Sequence, residues 1–365
     1  MKIEDVTARV LSVPMEKPFT AHVGGKWQLF TTTTHVLVEI CTDQGHKGFG
    51  YALSLSAKGM KALKTMVDEL RDFLIGEDPF LGEEILHKIR IHTSFLRWVG
   101  LVNFATTAID VALWDIMGKE AGKPLYRLLG GLRDRVPVYA SFDLWRSTTL
   151  KELTAAATKL VDMGFRAMKM RAGGGSISQE VERVRAVREA IGKDIHLMVD
   201  VNEAWSPPEA IRIGRQFEKY DIYWLEDPVP GEDIEGSAQV AAALDVPIAA
   251  GELHRTKADF RQLIERKALD IVMIDLQRVG GISEWRKIAA MAEACHLPVV
   301  SHLFPEILCH LVAALPPCLI LEYLPLSSSL FTEPLRIEDG AFVLPQKPGL
   351  GLELAEEAVA KYEVK

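Results

Sequence analysis

From residue 136 onward, short apolar runs alternate with amphipathic stretches. The runs have the length of buried strands, and the stretches between them place apolar residues at the spacing of one helix face. Eight such strands with short helical crossovers favour a closed (β/α) barrel, an α/β fold of the TIM-barrel type, over an open doubly wound sheet. The predicted strands cover residues 136–141, 167–171, 196–202, 223–226, 247–252, 270–276, 298–302 and 319–323.

The first part of the chain has a different order of elements. Two strand-like runs, at 3–13 and 31–41, come before helical patterns at 59–74 and 103–120. Strands followed by helices, without alternation, predict a small α+β domain. Residues 19–27, between the two strands, are predicted to form a loop.

These patterns divide the chain into three parts. We expect an α+β domain, a barrel domain, and a C-terminal segment that is too short for a domain and packs back on the first one. The predicted limits are 1–125, 126–329 and 330–365.

Composition narrows the class of protein. The chain has 365 residues and a formal net charge of −8, which argues against a nucleic-acid-binding surface. We expect no membrane span and no signal peptide. The four cysteines have no CxxC spacing, so free thiols in a cytoplasmic enzyme are the better interpretation.

Three acidic residues, Asp200, Glu226 and Glu252, follow three successive strands at intervals of 26 residues. The interval is that of one βα repeat, so their side chains converge at the carboxyl end of the barrel. Carboxylates placed so close together repel one another unless a positive charge lies between them. A hard divalent cation such as Mg²⁺, which prefers oxygen ligands, meets that need.

Other strand ends carry further ionisable or polar groups. Taken singly, each has a simpler explanation, such as a helix N-cap or a charge that neutralises its neighbour. Because seven successive strand ends carry such groups at the edge where barrel enzymes place their chemistry, a catalytic interpretation is favoured for the set. The further residues are Lys169, Arg171, Asn202, Asp275, His302 and Glu322.

These residues and several motifs resemble the enolase superfamily, and within it the mandelate racemase subgroup. The resemblance covers nearly the whole chain and implies an α+β capping domain over a (β/α)₇β barrel, bound Mg²⁺, a small carboxylate substrate and a homo-oligomer. It rests on the helix 105–115, the acidic triplet, Trp224-Leu225-Glu226-Asp227-Pro228, Asp275 before Val279-Gly280-Gly281, 301–306, Glu322 and Pro348-Gly349-Leu350-Gly351.

The resemblance also implies a first step, the removal of the proton α to a carboxylate. His302 is then the base, and Asp275 fixes its tautomer. Lys169 donates to one substrate carboxylate oxygen, and Glu322 donates to another if its surroundings keep it protonated. The acidic triplet holds the metal.

One position departs from relatives that racemise their substrates, which usually carry Lys-x-Lys at the end of the second strand. Here the second lysine is replaced by Arg171, and a guanidinium stays protonated near neutral pH. Racemisation needs a base on each face of the substrate, whereas His302 alone suffices for loss of a β-hydroxyl. The sequence therefore favours a dehydratase of a sugar acid or other 2,3-dihydroxy acid. A racemase or epimerase of a 2-hydroxy acid is the alternative.

The distal end of the substrate is expected to meet the capping domain. His22, Lys26 and Trp27, in the predicted loop, are candidate substrate-binding residues, although an ordinary solvent-exposed loop explains them equally well. His254, just beyond Glu252, either contacts the substrate or belongs to the start of the next helix.

Overall fold

A computed structural model describes residues 1–23, 26–333 and 335–364. The N-terminal domain contains a three-stranded antiparallel sheet in the order β1-β2-β3. Its strands are β1 (Ile3–Val23), β2 (Lys26–Thr42) and β3 (Lys47–Ser54).

The predicted loop at 19–27 is wrong for residues 19–23 and 26–27, which are strand residues; residues 24 and 25 lie outside the described structure. After a register shift between Pro14 and Phe19, the β1–β2 ladder resumes and pairs Phe19 with Phe30 and His22 with Trp27. The Phe19 and Phe30 rings lie 5.5 Å apart, and such cross-strand aromatic contacts stabilise a ribbon. This ribbon carries Lys26 and Trp27 toward the barrel.

The helices of the first domain pack against this sheet. The longest is almost entirely buried and forms the interface with the barrel. They are α1 (Met60–Leu70), α2 (Gly82–His92), α3 (Leu101–Glu120) and α4 (Leu125–Leu128). By length and composition alone α3 could cross a membrane, but 83% of its apolar window is buried inside the protein, as in a core helix.

Eight parallel strands form the second domain. Strand β11 pairs with β4 through Glu322 and Tyr139, and a bridge joins Val299 to Cys318, so the sheet curls round into the predicted barrel. The strands are β4 (Arg135–Ala140), β5 (Ala167–Arg171), β6 (His196–Asp200), β7 (Trp224–Glu226), β8 (Ile248–Ala250), β9 (Ile271–Asp275), β10 (Val299–His302) and β11 (Leu321–Tyr323).

Helices connect these strands on the outside of the barrel. Four of them begin with a capping box, formed by Thr149, Ser176, Ser206 and Thr256, which satisfies the free amides of the first turn. The helices are α5 (Leu150–Asp162), α6 (Ile177–Ile191), α7 (Pro207–Phe217), α8 (Ile234–Ala243), α9 (Lys257–Glu265), α10 (Leu276–Val279), α11 (Ile282–Ala294) and α12 (Pro305–Ala314).

The inside of the barrel has an apolar layer and a charged layer. Side chains two residues apart point to the same side of a strand, so Trp224 lies below Glu226 and Met198 lies below Asp200. The apolar layer is fully or almost fully buried and supports the charged one. Its members are Tyr139, Ala167, Met198, Trp224, Ala249, Ile271, Met273, Val300 and Ile320.

Polar residues of α3 join the two domains. Asp110 accepts hydrogen bonds from the Ser283 hydroxyl (2.6 Å) and amide (3.0 Å) at the start of α11. Asn103 donates to the Arg278 carbonyl (2.5 Å), and Thr107 donates to the Leu276 carbonyl (3.3 Å). The α+β domain is therefore attached directly to the helices that follow β9.

The C-terminal segment packs on both domains. It contains β12 (Ile337–Glu338), β13 (Ala341–Val343) and α13 (Glu356–Tyr362). Strand β13 pairs with β4, and the Val364 amide donates to the Val10 carbonyl at 2.8 Å. The predicted limits at residues 125 and 329 stay a prediction. Elements of the C-terminal segment pair with strands on the other side of each limit. The prediction of free thiols is confirmed for Cys41, Cys295, Cys309 and Cys318.

A buried carboxyl group, Glu306, lies between the domains. The Tyr51 hydroxyl of β3 donates to Glu306 Oε2 at 2.9 Å, and among the described residues no partner reaches Oε1. Burial raises the pKa of Glu306 to about 7, although hydrogen bonds oppose the shift. In this environment the protonated form is favoured.

We predict that Glu306→Gln changes the pH dependence of stability. The folded state retains the Glu306 proton between about pH 4.5 and about 7, so wild-type stability falls by about 3 kcal/mol as pH rises through that window. The variant lacks this loss and should match wild type near pH 5 but exceed it near pH 8 in urea unfolding. Exposed Glu357→Gln is the control. Parallel pH curves for wild type and Glu306→Gln would contradict the prediction.

Candidate active site

The charged layer lies at the carboxyl ends of adjacent barrel strands. Its members are Lys169, Arg171, Asp200, Glu226, Glu252, Asp275, His302 and Glu322. Strand register pairs Arg171 with Asp200, Asp200 with Glu226, and Asp275 with His302. Side chains at paired positions of neighbouring strands lie side by side, so the register itself brings these groups together.

Two cations neutralise part of this layer. Lys169 Nζ contacts Glu226 Oε1 and lies 3.0 Å from Glu322 Oε1 and 3.6 Å from Asp200 Oδ2. Arg171 Nη1 lies 3.1 Å from Asp200 Oδ2. Burial lowers the pKa of Lys169, but Glu226 and Glu322 raise it more, and the net pKa is above the ordinary lysine value. Both side chains therefore carry a positive charge.

His302 is held by two carboxylates. Its Nδ1 lies 2.6 Å from Asp275 Oδ2, while Asp275 Oδ1 accepts the Arg278 amide (2.7 Å) at the start of α10. Its Nε2 lies 3.2 Å from Glu252 Oε2. Burial lowers the pKa of His302, but the Glu252 charge and the Asp275 hydrogen bond raise it to about 9. Only Nε2 is left for exchange of a proton with a ligand.

Glu322 lies among positively charged side chains that lower the pKa of its carboxyl group. Burial raises its pKa, but Lys169, His302 and Arg171 lower it further, to well below the ordinary glutamate value. Its Oε2 accepts the Leu303 amide at 2.7 Å. In this arrangement Glu322 accepts a hydrogen bond, and its donation to a substrate carboxylate stays a prediction.

Two family models match most of the chain. The model of the mandelate racemase/muconate lactonizing enzyme N-terminal domain matches residues 5–130, and the enolase C-terminal domain-like model matches residues 152–358. The chain belongs to the mandelate racemase/muconate lactonizing enzyme family.

Individual members of this family align along nearly the full length. The chain is 34% identical to L-talarate/galactarate dehydratase of Salmonella typhimurium (98% of this chain and 90% of the relative) and 33% identical to arabinonate dehydratase of Saccharolobus solfataricus (90% and 91%). A crystal structure of L-talarate dehydratase from Polaromonas sp. JS666, complexed with Mg and L-glucarate, superposes with a TM-score of 0.94 at 34% identity (100% of this chain and 98% of that chain).

The charge balance of the site fits the Mg²⁺ seen in homologous structures of the family. Burial raises the pKa of Glu226 to about 8 and also raises that of Glu252, so the protein's own cations do not fully compensate the three carboxylates. In the described part of the chain no three ligand groups converge as a formed metal site, because the carboxylates turn toward Lys169, Arg171 and His302. A divalent cation would replace these contacts and supply the missing positive charge.

The predicted substrate-binding residues lie at different distances from the charged layer. The Asn202 amide donates to Asp200 Oδ1 (2.8 Å), so Asn202 lies beside the charged layer. His254 lines a separate cavity of about 450 Å³ whose lining includes no member of the charged layer. Lys26 and Trp27 lie near the end of the ribbon, where both are exposed, and the side chain of His22 lies outside the described structure.

Sequence reasoning missed the contribution of the first barrel strand. Arg171 Nη2 lies 3.4 Å from the hydroxyl of Ser141, directly after β4, and the Arg171 guanidinium lies 5.5 Å from the Trp145 ring. Next to Trp145, Arg146 donates to the Val201 carbonyl. The signal was available, since Trp-Arg follows the first strand just as Lys-x-Arg ends the second.

We predict that Glu226→Gln weakens Mg²⁺ binding. At a Mg²⁺ concentration of about 100 Kd, a bound ion should stabilise the wild-type fold by about 3 kcal/mol, and loss of one carboxylate should remove most of that effect. Calorimetric titration and thermal unfolding with and without Mg²⁺ test this, with exposed Glu265→Gln as the control. Unchanged Mg²⁺ affinity in Glu226→Gln would exclude Glu226 as a ligand.

Proposed function

We propose that the protein is a Mg²⁺-dependent dehydratase of a sugar acid or other 2,3-dihydroxy acid. The observation that carries this proposal is the single oriented base, His302 bound to Asp275, facing a site in which Arg171 replaces a second base. Among the described residues of the site, His302 can remove a proton from one face of a substrate, and Arg171 occupies the position where a second base would be needed.

Asp200, Glu226 and Glu252 would hold the metal. Mg²⁺ bound there would stabilise the negative charge that develops on the substrate carboxylate when the α-proton leaves. Lys169 would donate to the same carboxylate, since its ammonium group is buried and charged in the middle of the layer. Glu322, whose Oε1 lies 3.0 Å from Lys169 Nζ, would hold that ammonium group in place and, when protonated, would donate to the substrate carboxylate.

His302 would act twice in the reaction. Glu252 is the carboxylate that raises the pKa of His302 most, and once it holds the metal its charge no longer favours the imidazolium. The neutral Nε2 would then take the proton from the α-carbon, and Asp275 would stabilise the imidazolium that forms. The imidazolium then returns the proton to the β-hydroxyl as the β-carbon–oxygen bond breaks. Water leaves, and the resulting enol tautomerises to a 2-keto acid. One residue thus serves as base and acid, and no oxidant or reductant is needed.

Arg171 is unsuited to be a second base. Burial lowers its pKa, but Asp200 and Glu226 raise it more, to above the ordinary arginine value. The guanidinium stays charged and serves instead to bind a substrate oxygen or anion. A racemase or epimerase would need a base at this position, which is why dehydration is the better interpretation. The two relatives named above are dehydratases of sugar acids, which agrees with this choice.

The reaction type is tested by proton NMR of the Mg²⁺-loaded enzyme in D₂O with a panel of aldonic, aldaric and simple 2-hydroxy acids. We expect new 2-keto-3-deoxy acid signals. Deuterium at the α-carbon of inverted substrate, without a keto acid, would instead favour an epimerase. Absence of both reactions across the panel would contradict the proposed function.

The role of His302 is tested by His302→Asn. We expect kcat to fall about a hundredfold to ten-thousandfold because the proton no longer has an acceptor. Mg²⁺ affinity and the unfolding midpoint should change little. The control is His296→Asn, an exposed histidine with a φ of 57°, which asparagine tolerates. Activity near wild type in His302→Asn would exclude His302 as the base.

A further inference from the structure

Arg146 lies beside the charged layer on the loop between β4 and α5. Its Nη2 donates to the Val201 carbonyl and lies 3.5 Å from Asn202 Oδ1, so the guanidinium rests against the loop that follows Asp200. On its other side it packs over Gly173, where an added Cβ would lie 3.4 Å from Nη2. The loop itself is fixed, because Arg183 donates to the carbonyls of Trp145 (2.9 Å) and Thr148 (2.7 Å).

The charge on Arg146 has no carboxylate partner among the described residues. Its Nε is buried without an acceptor, and its one close contact is to a backbone carbonyl. Glu180 is near, but its Oε1 accepts the amides of Gly174 (2.9 Å) and Gly175 (2.6 Å) and holds that loop in place. A partly buried guanidinium with an unsatisfied N–H group is costly unless a ligand completes it.

Arg171 adds a second positive charge on the same side of the barrel mouth. Its charged partner there is Asp200, at 3.1 Å. If Asp200 holds Mg²⁺, its carboxylate no longer fully neutralises the Arg171 guanidinium. The guanidinium groups of Arg146 and Arg171 then both attract an anion. A guanidinium matches a carboxylate in shape as well as in charge, whereas a hydroxyl group would leave the charge uncompensated.

There is also room for the far end of a ligand next to Arg146. A cavity of about 350 Å³ opens beside this residue, between the β5–α6 loop at Gly174 and the ribbon residue Trp27; Arg183, Glu180 and Glu182 also line it. The ribbon also contacts the β4–α5 loop that carries Arg146, because the Phe19 ring stacks on the Trp145 ring with centroids 4.0 Å apart. Arg146 therefore lies at one edge of this cavity, while its Nη2 reaches the loop that follows Asp200.

We propose that Arg146, with Arg171, binds the second carboxylate of a dicarboxylic substrate, so that the enzyme prefers aldaric acids to aldonic acids. This inference rests on the proposed function for the identity of the reacting end. The reacting carboxylate would lie at Lys169 and the metal ligands, and the distal carboxylate at the two arginines.

The kinetic test compares galactarate with galactonate, which differ at the distal carbon. We expect wild type to favour the diacid. Arg146→Gln should lower kcat/KM for the diacid about tenfold to hundredfold and for the monoacid less than about threefold. Arg146→Lys should recover part of the preference, since it keeps the charge and loses the fork. Exposed Arg261→Gln is the control. A wild-type preference for the monoacid, or equal losses on both substrates in Arg146→Gln, would overturn the proposal.

A binding test works even if neither sugar acid is dehydrated. Calorimetry of the Mg²⁺-loaded protein with 2-hydroxyglutarate and 2-hydroxypentanoate compares two five-carbon acids that lack a β-hydroxyl and differ in the distal carboxylate. We expect wild type to bind the diacid about tenfold or more tightly than the monoacid, and Arg146→Gln to bind both alike. Equal affinities in wild type would overturn the role of Arg146. Turnover of galactonate alone would overturn this inference but leave the proposed dehydratase intact.

Discussion

The burial of many charges in one layer is the constraint on which the rest of the structure depends. Removing a carboxylate from water costs several kcal/mol unless positive charge or hydrogen bonds replace the water. Lys169 supplies positive charge at the centre of the layer. Trp224, a member of the apolar layer below, donates from its Nε1 to Glu226 Oε2 at a distance of 2.9 Å. The barrel provides the rigid spacing that such an arrangement needs, since each side chain enters from a different strand. A cluster of this kind on a mobile loop would separate rather than stay buried.

Much of this layer could be predicted because it depends on strand order and alternation alone. The 26-residue interval identified Asp200, Glu226 and Glu252 as neighbours, and β5 has the predicted limits. Contacts that depend on loop conformation could not be predicted in this way. The segment at 19–27 contains polar and glycine residues typical of a loop, yet pairing between distant aromatic residues extends it into a ribbon. Arg146 was missed because strand alternation gives no information about a residue six positions past the end of its strand.

The α+β domain does more than cover the barrel. Through Asn103, Thr107 and Asp110, helix α3 holds the segment that begins at the end of β9, and Tyr51 holds the start of α12, just after His302. Leu303 and Phe304, between His302 and α12, both have positive φ angles, which such residues rarely adopt without support from their surroundings. The first domain therefore fixes the backbone on both sides of the Asp275–His302 pair.

Asp275 uses its two oxygens for two different purposes. One holds the imidazole, and the other begins a helix that docks against the neighbouring domain. In evolutionary terms, such a position is almost immobile, because a change that retunes the imidazole also loosens the domain interface. Arg171 has fewer structural duties, with a long contact to Ser141 and an ion pair to Asp200. Substitution of Arg171 is therefore expected to disturb the fold less than substitution of Asp275.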